Sequence, residues 1–151
     1  MSAPATHPAS RPARPKAGDS ALAEKLRRNL RGEVLFDPFS RGRYSTDASI
    51  YQIEPVGVVV PRDEADVTTA LQVAAEAGVP VLPRGGGTSQ CGQTVGDALV
   101  IDCSKHLNEM VTFDAARSSV TVQPGLVLAQ LNQILKTHGL FFPVDVSTGN
   151  R

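Results

Sequence analysis

Five consecutive residues, Val56-Gly57-Val58-Val59-Val60, closed by Pro61, constrain the fold of this chain more than any other stretch. A short, continuous, β-branched run without polar alternation suits a strand buried on both faces. Such a strand needs covering layers, and the residues that follow supply one. Asp63 is placed to cap a helix over 64–77, with Glu64 and Asp66 in its first turn, where the helix dipole favours acidic groups. Val67, Ala70, Leu71 and Ala74 form its apolar stripe, and Gly78 stands where a left-handed C-terminal residue belongs. Residues 79–82 read as a second strand. Strand, crossover helix and strand make a β-α-β unit, which is right-handed and usually parallel.

The flanking segments complete an α+β pattern. Leu22, Leu26 and Leu30 recur every four residues, which predicts a short helix over 21–31 capped by Ser20. Residues 32–55 read as irregular, with turn signals at Asp37-Pro38 and Arg41-Gly42. Ala98-Leu99-Val100-Ile101-Asp102 reads as a third buried strand. Two alternating runs, 110–113 and 119–123, predict a hairpin with one wet face. A further helix over 125–138 carries Val127, Leu131, Ile134, Leu135 and His138 on one stripe and stops at Gly139. Residues 140–143 resume an extended course. The polar end, 145–151, is unlike a domain terminus, so the domain is expected to be truncated at its C-terminus. The expected fold is a small parallel β-α-β unit beside a mixed or antiparallel sheet.

Composition limits the alternatives. Residues 1–18 are proline-rich, with no large apolar side chain beyond Met1, and read as a disordered tail. Residues 19–43 read as an N-terminal helix and linker, and 44–151 as the domain. Zero net charge hides nine Lys/Arg against four Asp/Glu in residues 1–43, and six against eleven in the rest. The basic residues are spread out, with no aromatic among them before Phe36, so a solvated tail is preferred to nucleic-acid binding. No apolar run is long enough to span a membrane, and the N-terminus lacks the apolar core of a secretory signal. Two cysteines, Cys91 and Cys103, are too few for a disulfide framework or a zinc cluster. A reducing, cytoplasmic location is expected, or one peripheral to the inner membrane.

The chemistry concentrates in Pro83-Arg84-Gly85-Gly86-Gly87-Thr88-Ser89-Gln90-Cys91-Gly92-Gln93, directly after a strand, where ligand loops of α/β sheets lie. Three glycines in a row are tolerated where a positive φ or a close backbone approach is needed. Successive N–H groups in such a turn form a concavity for phosphate oxygens. Thr88 and Ser89 add hydroxyl donors, and Arg84 offers a guanidinium. Gly86 is expected to hold a positive φ, so that Gly86→Val should be damaging. The loop is not a P-loop, because no Gly-Lys-Ser/Thr ending exists. It is not a dinucleotide fingerprint either, because Gln90 fills the place of the third glycine.

The string Pro80-Val81-Leu82-Pro83-Arg84-Gly85-Gly86-Gly87-Thr88-Ser89, followed by Gly92-Gln93, resembles the FAD-binding domain of the vanillyl-alcohol-oxidase/p-cresol-methylhydroxylase type. Pro55-Val56-Gly57-Val58-Val59-Val60-Pro61 and residues 98–102 fit as well, over about 44–151. The stretches 31–37 and 40–49 look like the start of long FAD-linked oxidases with a C-terminal iron–sulfur domain. That subgroup is related to the glycolate oxidase flavin subunit and to D-lactate and D-2-hydroxyglutarate dehydrogenases. The resemblance implies that Arg84, Gly85, Gly86, Gly87, Thr88, Ser89, Gly92 and Gln93 hold FAD, with Asp145 and Ser147 in a second flavin-contacting segment. Some relatives carry a flavin-bonded histidine where Thr88 stands, so non-covalent FAD is implied. The implied enzyme is an FAD-dependent oxidoreductase of a small D-2-hydroxy acid, inactive as this stretch alone. Its electrons would pass to an iron–sulfur module outside this sequence or to another acceptor. The alternatives are a non-catalytic nucleotide-binding remnant and another flavin reductase, such as one acting on peptidoglycan precursors.

Other chemistry-bearing residues receive bland readings. Cys91 is read as a small packing residue, Cys103 as core, and Tyr51 as a buried aromatic anchor. His138 is read as a helix C-terminal histidine, and His106 as a turn residue. No catalytic triad or metal spacing is visible, and no catalytic residue is assigned.

Overall fold

The computed structural model describes residues 14–151. In chain order its elements are α1 (Ser20–Asn29), β1 (Glu33–Leu35), α2 (Pro38–Arg43), β2 (Gly57–Val60), α3 (Glu64–Ala77) and β3 (Val81–Arg84). β4 (Leu99–Asp102), β5 (Met110–Asp114), β6 (Ser119–Val122) and α4 (Leu128–Lys136) follow.

The β-branched run does sit at the centre. β2 and β4 are buried at every residue, whereas β1 and β3 are only partly buried. The order β1-β2-β4-β3 explains this, since each central strand has a neighbour on both sides. β4 pairs parallel with both β2 and β3, and β1 runs antiparallel along β2. The α3 crossover therefore leads from β2 past the place that β4 later fills. Leu22, Leu26, Phe36, Val59, Ala70, Val73, Leu99 and Ile101 belong to one core cluster between helices and sheet. Phe36 lies against β2 at Gly57, where a Cβ would run into its ring.

Several local expectations are corrected. Asp19, not Ser20, caps α1 by accepting the Leu22 N–H at 2.8 Å, and the helix ends at Asn29. The segment expected to be irregular, 32–55, contains β1 and α2. Asp37-Pro38 is a helix start, with Asp37 accepting the Ser40 N–H and Pro38 in the first turn, where a missing N–H is harmless. Leu71 is exposed, and Val73 takes its place on the buried stripe of α3. The second strand starts at Val81 and includes Pro83, which an edge strand tolerates. α4 is shorter than expected and buries only Leu131 and Leu135. The hairpin half-buries Met110, Phe113 and Val120 and leaves Thr112, Asp114, Ser119 and Thr121 wet, but Val111 and Val122, beside the irregularity in β5, are exposed as well.

The helix over 64–77 with its Asp63 cap matches the expectation, and so does the positive φ at Gly78. Of the tail expected to be disordered, residues 1–13 lie outside the described residues. Gly18 is tied down, donating its N–H to the Val56 carbonyl at 2.8 Å, and Arg14 pairs with Asp97. Among the described residues, no helix is long and apolar enough to cross a membrane.

Candidate functional site

Parallel pairing puts the C-terminal ends of β3 and β4 side by side, with Arg84 opposite Asp102. The glycine-rich loop leaves the sheet at that edge. Its φ is positive at Gly87 (66°) and Gly92 (75°), not at Gly85 or Gly86. The strain expected at Gly86 therefore belongs to Gly87. A Cβ at Gly86 would meet the Arg151 backbone at 3.3 Å, and one at Gly85 would meet nothing within 4 Å. Among the described residues, the N–H groups of Gly86, Gly87, Thr88 and Ser89 donate to no protein acceptor.

The second expected segment reaches the loop through a different residue. The Thr148 hydroxyl donates to that of Thr88 at 3.2 Å, across 60 positions of sequence. Gly149 offers its carbonyl to the Ala129 N–H at 2.8 Å, which ties this segment to the first turn of α4. Asp145 and Ser147 lie exposed in the same segment, and neither bonds to the loop.

Two expected ligand groups are engaged inside the protein. Ser89 accepts N–H bonds from Cys91 (3.2 Å) and Gln93 (3.3 Å), and its hydroxyl donates to the Gln93 side chain. It shapes the turn. Arg84 donates Nη1 to the carbonyls of Thr94 (3.0 Å) and Tyr44 (3.3 Å), and Nη2 to that of Thr46 (2.9 Å). Its guanidinium also lies 5.2 Å from the centre of the Tyr44 ring. Tyr44 donates its hydroxyl to Asp102 at 2.6 Å, and the other Asp102 oxygen accepts from the Ser104 N–H and hydroxyl. Burial pushes the Tyr44 phenol up, and the Asp102 carboxylate pushes it further. Asp47 accepts from the Ser49 N–H and the Thr94 hydroxyl, and these bonds, Ser49 foremost, hold its carboxyl below the usual range.

Tyr51 is not a buried anchor. It is exposed, with its ring against Gly92, where a Cβ would lie 2.6 Å from it. Cys91 is exposed as well, not packed inside. Both border an open hollow of about 470 Å³ with Ile50 and Gln90. Cys103 is buried, as expected, and burial raises its thiol. His106 lies in a turn, and His138 packs against Phe113 with ring centres 4.6 Å apart and the planes tilted by 49°. Lys105 pairs with Glu33. No group of three or more metal-ligating side chains occurs among the described residues.

Sequence reasoning missed Tyr44, Thr46, Thr94, Asp102 and Thr148. Only Asp102 left a signal, being a carboxylate at the end of an otherwise apolar strand beside the loop.

The donor set has one consistent chemistry. Successive unsatisfied N–H groups, a hydroxyl at Thr88 and no Asp or Glu anywhere in residues 83–93 suit an anion. Nothing in the loop is placed to act as an acid or base. The residues fit the phosphates of a cofactor.

The family described as FAD binding domain matches residues 55–151. D-2-hydroxyglutarate dehydrogenase of Pseudomonas putida is 40% identical over 141 residues, which cover 91% of this chain and 14% of that protein. Glycolate oxidase subunit GlcD of Bacillus subtilis is 35% identical, over 78% of this chain and 26% of its own length. The chain thus spans a minor part of the relatives it matches. The solved structure of p-cresol methylhydroxylase shares the fold, with a TM-score of 0.63 at 16% identity, over 82% of this chain and 25% of that one.

Proposed function

The chain belongs to the FAD binding domain family, and on that premise we propose that residues 85–89 cradle the FAD pyrophosphate within a dehydrogenase of a small D-2-hydroxy acid. The unsatisfied N–H groups of residues 86–89, at the carboxyl edge of parallel strands, carry this reading. Thr88 and Thr148 close the cradle from the side of α4. FAD is held without a covalent bond, because Thr88 stands where some relatives have a flavin-bonded histidine. When bound, FAD supplies the two-electron acceptor that oxidises the hydroxyl-bearing carbon. The substrate class follows the names of the relatives, D-2-hydroxyglutarate dehydrogenase and glycolate oxidase subunit. The onward acceptor is an iron–sulfur module or another carrier. The location is cytoplasmic or peripheral to the inner membrane.

The test uses the full polypeptide. It should purify yellow, and acid or heat should release all the flavin into the supernatant. Anaerobic addition of D-2-hydroxyglutarate, D-lactate or glycolate should bleach the flavin absorbance with at least one of them. Flavin that stays with the precipitate overturns non-covalent binding. Failure of all three acids to bleach it overturns the substrate class.

A further inference from the structure

We propose that Arg84 is a positioning residue, whose guanidinium sets the course of the 85–94 loop through three backbone carbonyls and leaves cofactor contact to the loop's own N–H groups. The inference rests on the FAD reading above and assigns Arg84 a role different from a phosphate ligand.

The guanidinium joins both ends of the loop to the segment before β2. Arg84 itself precedes the loop, and Nη1 holds the carbonyl of Thr94 at its far end. The same nitrogen and Nη2 hold the carbonyls of Tyr44 and Thr46. Two of the three residues that supply these carbonyls are also anchored through their side chains. The Tyr44 side chain is anchored on buried Asp102. The Thr94 side chain is anchored on Asp47, one residue after Thr46. Gly87 completes the arrangement, since a Cβ there would lie 2.5 Å from Nη2. One of the loop's two positive-φ glycines is thus also the residue against which the guanidinium packs. A flat, delocalised cation with a rigid fork of donors can serve three carbonyls at once. A lysine ammonium on a flexible stem cannot.

The two roles differ in how charge and shape matter. A direct phosphate contact depends on the positive charge, is partly kept by lysine, and contributes to the salt dependence of binding. A carbonyl clamp depends on the fork and is not kept by lysine, although lysine keeps the charge. FAD affinity of the flavin-stripped full polypeptide is therefore measured from low to high salt for the wild type, Arg84→Lys and Arg84→Gln. Both variants are expected to bind FAD about tenfold or more weakly, because neither replaces the fork. Arg84→Lys, which keeps the charge, should also keep the wild-type salt dependence. Near-normal affinity in Arg84→Lys, with loss and a flatter salt dependence in Arg84→Gln, overturns the proposal.

If the Arg84 variants do not fold, Thr94→Val tests the Asp47 anchor that keeps the clamp's far carbonyl in place, removing only the hydroxyl held by Asp47. An affinity about threefold lower with unchanged salt dependence is expected, from one lost hydrogen bond. Wild-type affinity in Thr94→Val overturns the clamp. A wild-type polypeptide that takes up no FAD overturns the functional reading beneath it, and is told apart by needing no variant.

Discussion

Asp66 shows how one side chain can set the start of the whole sheet. Its carboxylate is buried and accepts the N–H groups of Arg31 (3.0 Å), Gly32 (2.9 Å) and Arg62 (2.9 Å). It thereby joins the turn before β1 to the turn before α3. Burial alone would raise this carboxyl, but the N–H donors and the Arg31 charge outweigh it and hold it below its ordinary value of 3.8. A lowered folded pKa stabilises the protein above the unfolded value, and that stability is lost as pH falls through the folded value. Asp66→Asn should cost about 2–4 kcal/mol at neutral pH, because an amide cannot accept all three bonds and presents donors to donors. Thermal midpoints against pH check this. The gap between wild type and variant should be widest at neutral pH and close below 3.8. A gap that stays constant into acid contradicts the assignment. In sequence, Asp66 was legible only as a first-turn acidic residue, because its three donors are set by tertiary contact.

Among the elements, legibility followed the range of the forces involved. β2, β4 and α3 were readable because continuous apolar runs, a capping Asp63 and a stopping Gly78 are local signals. β1 was not, since three half-buried residues become a strand only by pairing with β2. The glycine loop lies between these cases. Its position and its donors could be read, but the glycine that carries the backbone demand could not. Positive φ falls at Gly87 and Gly92, and Gly87 is the one with the guanidinium packed against it. Gly87→Ala should weaken FAD binding about tenfold, given a left-handed penalty of roughly 1–2 kcal/mol. Gly85→Ala should stay within about threefold, since its Cβ meets nothing and its φ is not positive. Flavin absorbance per protein after gel filtration measures both, with circular dichroism as the folding control. Equal loss in the two variants would contradict this division of roles.

At the scale of the molecule, the site is a product of topology. Two parallel strands end at one edge of the sheet and release the glycine loop and the Ser104 turn there. Residues 44–52 and 145–151 then arrive from distant parts of the chain, so the Arg84 and Thr88 contacts bridge 40 and 60 positions. No local pattern reports such meetings, which is why Tyr44 and Thr148 went unseen while the loop itself did not. The hairpin and α4 side packs more thinly, with Phe141, Phe142, Val144 and Val146 exposed, as befits a two-stranded sheet without a full second layer. Amide hydrogen exchange across residues 84–94 of the full polypeptide tests the cradle most directly, with FAD, with riboflavin and without ligand. Exchange at residues 86–89 should slow with FAD and not with riboflavin, which lacks the pyrophosphate. Unchanged exchange at these amides while FAD is bound would show that the loop does not hold it.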